Sequence, residues 1–300
     1  MRILITGTSG FIGGHLVQRL AAEHEVWALQ RRTPVAPHAG VTYVLQDLTQ
    51  PLDRDLLPDR MDAIIHQAAW IHPAADEDEN QSFLANVAGT WRMVEYARRA
   101  GVHTFLHAST GGIYGPGERP FVESDPPNPV ELYSVTKTQA ETAVLANPGA
   151  FHTIILRYFF PYGVGTPNPM PSFIRRAVRG EPISILASGR PRINPLHISD
   201  AVEATVRALA LGESDIINVA GEETTNFGQI ASMAARHVGR EPVFVPVSDT
   251  LAPGYYSANI MGHIGRMRAR LDFTPRVMLA EGLIEMFEHE RALAEAAKPE

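Results

Sequence analysis

The chain contains no cysteine, so disulfides, thiolate nucleophiles and cysteine-ligated metals are all excluded. It has no apolar stretch of the ~20 residues needed to span a bilayer. It has no excess of positive charge either. Lys and Arg total 26 against 33 Asp and Glu, a formal net charge of -7, whereas a nucleic-acid partner wants a basic face. There is no internal repeat and no low-complexity segment. The twelve histidines are scattered without metal-ligand spacing, and a lone His at a strand end, such as His66 or His107, more often packs than ligates. No serine sits in a nucleophile-elbow context with His and Asp partners. The chain opens directly on an apolar run, leaving no room for a signal peptide, so a cytoplasmic protein with no metal, membrane or nucleic-acid partner is expected. The composition, 45% hydrophobic and 20% charged over 300 residues, supports a sizeable core in one large domain or two modest ones.

The organising stretch is at the start. Arg2-Ile3-Leu4-Ile5-Thr6 is rich in branched apolar residues and reads as a buried parallel strand. It breaks into Gly7-Thr8-Ser9-Gly10-Phe11-Ile12-Gly13, after which His15-Leu16-Val17-Gln18-Arg19-Leu20 resumes with helical spacing. Strand, glycine turn and helix in that order open a dinucleotide-binding βαβ unit. Gly7 permits the tight turn, Gly10 lets the backbone approach a pyrophosphate, and Gly13 lets the helix pack against the strand. The helix N-terminus supplies free N–H groups. The spacing is G-x-x-G-x-x-G, not the G-x-G-x-x-G of ordinary dehydrogenases. Glycines also serve turns with no ligand; the flanking strand and helix carry the binding reading.

Further strands are expected at 25–30, 41–45, 63–66, 104–108 and 153–157, alternating with helices and without hairpin signals between them. That alternation predicts an α/β fold, a doubly wound parallel Rossmann sheet. The acidic run at 76–79 reads as the solvated start of a helix reaching Arg99. Beyond Tyr158 the texture changes: Pro161, Gly163, Gly165, Pro167, Pro169 and Pro171 crowd together and mark a boundary. Residues 1–160 are expected to form the dinucleotide-binding domain. Residues 161–300 are expected to form mainly a smaller, mixed substrate-binding lobe, with the chain returning to the sheet around 194–220. Helices are expected at 172–179, 199–211 and 280–297, and a strand at Asp215–Val219.

Two further pieces carry chemistry. Tyr133 and Lys137 stand four residues apart at the start of an expected helix, on one face and within reach of a common ligand. A phenol with an ordinary pKa near ~10 is a poor base at neutral pH, and a neighbouring ammonium favours the phenolate. Spacing alone fits an exposed surface helix equally well. Ala108-Ser109-Thr110-Gly111-Gly112 ends the fifth strand, so Thr110 is placed to hydrogen-bond an oxygen undergoing alcohol–ketone interconversion, or merely to cap its own turn. Glycine turn, hydroxyl segment and Tyr–Lys pair in this order are far more specific than any one alone.

With these pieces, and with Asp47-Leu48-Thr49, His66-Gln67-Ala68-Ala69, Asn86-Val87-Ala88-Gly89-Thr90 and Arg157-Tyr158-Phe159-Phe160, the chain resembles the extended short-chain dehydrogenase/reductases, the nucleotide-sugar epimerases, dehydratases and ketoreductases. The resemblance covers nearly the whole chain, to Leu271-Asp272-Phe273-Thr274-Pro275 and Glu281-Gly282-Leu283. It implies a homodimer, for which 85–97 and 138–145 offer apolar faces, and a dinucleotide held by Gly7, Gly10, Phe11, Ile12 and Gly13. Asp47 and Leu48 would hold the adenine, and Gln67, Ala68 and Ala69 would line the pyrophosphate and nicotinamide ribose. Asn86 and Ser109 join that cofactor site, and Tyr158 would lie against the nicotinamide. Tyr133 becomes the acid/base, Lys137 grips the ribose and tunes Tyr133, and Thr110 takes the place of the family's Ser/Thr.

The departures are as informative. Gly111 and Gly112 replace the Asp-Glu pair with which dehydratases eliminate water, so a 4,6-dehydratase is not expected. Phe160 and Pro161 replace the end of the Arg-Tyr-Phe-Asn motif. Arg192 stands near the expected phosphate-gripping arginine, one register off, and a second expected around 253–256 is missing. Gly111, Gly112, Phe160 and Arg192 remain the expected substrate contacts. At the end of the second strand Gln30, Arg31 and Arg32 replace the acidic residue of NAD-preferring members. An amide and two guanidiniums attract a 2′-phosphate, so NADP is the expected cofactor and NAD the alternative. The likeness implies hydride transfer at a secondary alcohol or ketone carbon of a small, sugar-like, nucleotide-activated substrate. Gln30-Arg31-Arg32 tips it toward an NADPH-dependent ketoreductase, ahead of a redox-neutral epimerase with retained NAD and of a non-catalytic dinucleotide sensor.

Overall fold

Ile3, Leu4 and Ile5 have no exposed surface, because β1 (Arg2–Thr6) runs through the middle of a parallel sheet covered on both faces. Strand alternation sends Ile3 and Ile5 into one apolar layer and Leu4 into the other. Each such side chain contributes about 1.5–3 kcal/mol by leaving water. The structure, a computed structural model, describes residues 1–71, 80–248 and 259–296. The acidic run at 76–79 and the segment 253–256 lie outside them.

In chain order, β1 is followed by α1 (Phe11–Leu20), β2 (Glu25–Gln30), β3 (Val41–Leu45) and β4 (Ala63–His66). Then come α2 (Asn80–Phe83), a π-turn at Leu84–Ala88, α3 (Gly89–Arg99), β5 (Thr104–Thr110), α4 (Leu132–Leu145) and β6 (His152–Tyr158). The remainder comprises β7 (Pro161–Tyr162), α5 (Met170–Arg179), β8 (Ile183–Leu186), β9 (Leu196–His197), α6 (Ile198–Leu209), β10 (Asp215–Val219), α7 (Phe227–His237), β11 (Phe244–Val247), α8 (Gly265–Leu271) and α9 (Leu279–Ala296).

The large sheet has the order β10-β6-β5-β4-β1-β2-β3, all parallel, which is the doubly wound, Rossmann-like fold. Leu16 and Leu20 of α1 and Ala201, Ala204 and Ala208 of α6 cover the face bearing Ile3 and Ile5. Met93, Val94 and Ala97 of α3 and Val144 of α4 cover the face bearing Leu4, Ile64 and Phe105. From β1 the chain winds out through β2 and β3, then returns to β4 on the other side. The helices that follow β1 and β4 therefore lie on opposite faces of the sheet, and a crevice opens at the carboxyl edge. The late strand β10 joins the edge beside β6. Its Asp215 carboxylate, fully buried, is held by Arg266 and Arg270 of α8.

Past β6, β7 pairs with β9 and β8 with β11, both parallel. The amphipathic α5 packs on α7 and α9 through Phe173 stacked on Phe227, with ring centroids 4.7 Å apart, and through an Arg175–Glu290 ion pair at 2.7 Å. The helix expected at 172–179 begins two residues earlier, since Pro171 in the first turn gives up an N–H that has no helical acceptor anyway. The π-turn and the two- and four-residue strands have no periodic signature long enough to read.

Behind the sheet's carboxyl edge, Arg157 of β6 and Glu141 of α4 form a bidentate pair at 3.0 and 2.7 Å, with side chains only 4% and 5% exposed. Arg157 also donates to the Tyr114 hydroxyl at 2.7 Å, and that hydroxyl donates to Asn218 Oδ1 at 2.8 Å. Removing one member of a dry pair strands the other charge. Glu141→Leu is therefore expected to cost about 3–5 kcal/mol in chemical denaturation, and Glu141→Leu with Arg157→Met to recover most of it. A single variant as stable as the parent would contradict this.

Candidate functional site

The crevice is a cleft of about 710 Å³, with the glycine turn at its floor. Gly7 has a left-handed φ of 71°, and its N–H donates to Leu29 O across the strand gap at 3.2 Å. A Cβ on Gly7 would lie 2.6 Å from Ala68 N, and one on Gly13 would lie 2.3 Å from Gly7 O. Both are impossible contacts, so the loops after β1 and β4 and the start of α1 meet at a distance only glycine allows. No side chain caps α1 at Gly10, which leaves its first N–H groups for water or an anion. Gly7, Gly10, Phe11, Ile12 and Gly13 all line the cleft.

At the end of β2 the side chains divide. Gln30 is buried, accepting from Thr8 Oγ1 at 2.7 Å and donating to the Arg32 carbonyl at 2.6 Å. Arg31 lines the cleft and sets its guanidinium 4.6 Å from the Trp70 ring centroid, a cation–π contact. Arg32 is exposed and absent from the cleft wall. The chain bends at these two residues, and of the two arginines only Arg31 lines the cleft.

Asp47, Leu48, Gln67, Ala68 and Ala69 line the cleft as expected. Asp47 Oδ1 accepts from Thr49 N at 2.9 Å and shapes its own turn. Gln67 Nε2 donates to Tyr158 Oη at 3.3 Å, and that hydroxyl contacts Thr205 Oγ1 at 2.6 Å. Burial pushes the Tyr158 phenol up to about 12. Asn86 does not reach the cleft wall. It fastens Trp70, whose backbone N–H donates to Asn86 Oδ1 at 2.6 Å, and its Nδ2 donates to Trp70 O and Thr136 Oγ1, both at 2.9 Å.

On the opposite wall Ser109, Thr110 and Tyr133 face the cleft together. Ser109 Oγ is buried without a hydrogen-bond partner; Thr110 Oγ1 accepts from Gly112 N at 3.1 Å. Burial first, and the Glu131 carboxylate second, push the Tyr133 phenol well up. Lys137 lies behind this wall, with its Nζ 3.1 Å from His107 Nε2, and burial pushes it down to about 7. The hydrogen-bond partner of its ammonium is thus a buried imidazole.

Of the expected substrate contacts, Phe160 lines the cleft at a strained φ of 44°. Gly111 and Gly112 do not: a Cβ on Gly111 would lie 2.4 Å from the Phe159 ring, so this segment is packed against the core. Arg192 is also off the wall, donating to Glu118 O at 3.0 Å and paired with its carboxylate. Trp70, Ile71, Glu131 and the 166–169 segment line the cleft although sequence reasoning passed them over. The crowded prolines signalled a boundary without signalling that it faces the site, and Glu131 was detectable only as the residue before the Tyr133 helix.

A glycine cradle that a Cβ would fill, an uncapped helix N-terminus and an orphaned buried Ser109 hydroxyl fit a bound dinucleotide. The fold is that of the Rossmann-like dinucleotide-binding enzymes. Within that class, the chain belongs to the NAD dependent epimerase/dehydratase family, whose model matches residues 3–220. It is 32% identical over 250 residues to a probable UDP-glucuronate 4-epimerase of Rhizobium meliloti, covering 75% of this chain and 73% of that one. It is 30% identical over 253 residues to a GDP-6-deoxy-D-mannose reductase of Pseudomonas aeruginosa, covering 78% and 79%. Among solved structures, MoeE5 in complex with UDP-glucuronic acid and NAD is similar at a TM-score of 0.84 and 29% identity, over 98% of this chain and 100% of that one.

Proposed function

We propose that this enzyme inverts the configuration at a secondary carbinol carbon of a nucleotide-activated sugar, with NAD in the cleft. The observation that carries this is the joint placement of Ser109, Thr110 and Tyr133 on one wall of the cleft whose floor is the glycine turn. Gly7, Gly10 and Gly13 would hold the pyrophosphate, Asp47 and Leu48 the adenosine, and Tyr158 the nicotinamide side. When bound, NAD supplies a reversible acceptor for the carbinol hydride. The chain's own residues handle the proton. Tyr133 Oη takes it from the substrate hydroxyl and returns it, Thr110 Oγ1 orients that oxygen, and the Lys137 ammonium steadies the ribose and offsets the burial that holds the phenol protonated. Tyr133→Phe is expected to lower turnover by roughly 100- to 10,000-fold while NAD binding, read by calorimetry, stays within a factor of two or so of the parent. Near-normal turnover in the variant would remove Tyr133 from this role.

A second reading is an NADPH-dependent reductase, favoured by the absence of a carboxylate at the end of β2. Three observations set it behind. Arg31 is engaged on Trp70, Arg32 is off the wall, and MoeE5 was solved with NAD. Titration of cofactor-free protein is expected to give NAD an affinity at least equal to that of NADP, with Arg31→Ala weakening NADP alone. A tenfold preference for NADP, equivalent to ~1.4 kcal/mol, would restore the reductase.

The chain is further proposed to be a homodimer through α3 and α4, where Trp91 and Leu145 are 44% and 46% exposed. Light scattering at micromolar concentration is expected to give twice the chain mass, and a monomer would exclude it.

A further inference from the structure

We propose that His107 is a positioning residue for Lys137, its Nε2 accepting a hydrogen bond from the buried ammonium and so fixing where that charge stands behind the cleft wall. This rests on the role of Lys137 proposed above. The contact is 3.1 Å long, and both side chains are essentially without exposed surface. An ammonium has three donors and no acceptor, so against a charged Lys137 the imidazole must be neutral and its hydrogen must sit on Nδ1. His107 Nδ1 is buried with no partner. An apolar residue would avoid that unsatisfied N–H, so the gain from a histidine here lies at its other nitrogen. Burial, Lys137 and then His66 hold the His107 imidazole well below its ordinary pKa, which favours the neutral, accepting form.

The neighbouring strand supports the same arrangement. His66 pairs with His107 in the β4–β5 register, with ring centroids 5.5 Å apart. Its tautomer is dictated by its neighbours. Thr90 Oγ1 donates to Asn86 O at 2.6 Å, so it accepts from His66 Nε2 at 3.0 Å. Thr6 Oγ1 accepts from Ala68 N at 3.1 Å and donates to His66 Nδ1 at 2.7 Å. Burial pushes His66 down to about 3, so it too is neutral. The other charged or titratable groups facing Lys137 are Tyr133 and Glu141, one turn away on its own helix. Both Glu141 oxygens are bound by Arg157 of β6, which leaves His107 as the hydrogen-bond acceptor found for the Lys137 ammonium among the described residues.

Lys137 is one of two lysines in the chain, the other being Lys298, so protein labelled at lysine Cε gives two resonances, of which Lys137→Met deletes one. In the parent, the Lys137 resonance is expected to titrate near neutrality. His107→Leu, similar in volume but without an acceptor, is expected to lower that midpoint by about one unit or more, as for a lost hydrogen bond to a charge. His107→Gln, which returns an acceptor oxygen near the Nε2 position, is expected to recover at least half of the shift. The alkaline limb of turnover should move in step, whereas a purely structural role would lower activity evenly across pH. An unmoved Lys137 midpoint in folded His107→Leu overturns the proposal. So, with no substitution needed, does a histidine ¹⁵N spectrum of the parent that shows His107 carrying its hydrogen on Nε2. If Lys137→Met turns over at the parent rate, the role of Lys137 itself fails, which is a separate result.

Discussion

The structure depends on one close approach. Where the sheet reverses its winding, the backbone after β1 lies so near the backbone after β4 that a single methyl group at Gly7 would overlap Ala68 N. The start of α1 comes as close again, with Gly13 over the Gly7 carbonyl. Only a chain lacking Cβ atoms at these points brings two loops and a helix terminus to one spot. The result is a concave surface of backbone donors rather than side chains, suited to an anion with many acceptors. Everything else in the site is arranged around that floor: the Gln67-Ala68-Ala69 wall follows from β4, and the hydroxyl wall follows from β5 one strand further on.

Polar groups buried beside this floor hold it in place. The Thr6, His66 and Thr90 chain ties Ala68 to Asn86, and Asn86 ties the Trp70 loop to α4 through Thr136. Helix α4 is thus referenced to the glycine-turn floor by hydrogen bonds rather than by apolar contact alone, and such bonds are more demanding in direction. The Glu141–Arg157 pair fixes the far end of the same helix. Lys137 sits between these two anchors, and Tyr133 lies one turn ahead of the first.

The parallel strands and the glycine turn were legible in the sequence because they rest on local rules, an unbroken apolar run and the conformational needs of a turn. Tyr133, Thr110 and Ser109 were legible for the same reason, since their places at a helix start and a strand end put them at the carboxyl edge. What escaped depends on side-chain direction. Arg31 and Arg32 are equal in sequence, yet Gln30 fastens the Arg32 carbonyl and only Arg31 faces inward. Arg192 carries the right charge, but Glu118, 74 positions earlier, takes it. His107 looked like a packing residue, and its significance appears only when α4 folds Lys137 onto it. The small strands β7, β8, β9 and β11 escaped because two to four residues carry no period.

If the hydride leaves and returns within the cleft, as proposed, the carbon-bound hydrogen never meets water. Turnover of UDP-glucuronate in deuterium oxide tests this. The expected product is an epimerised sugar whose inverted carbon carries no solvent deuterium. Solvent deuterium at that carbon would contradict it, since the hydrogen would then have left as a proton into water.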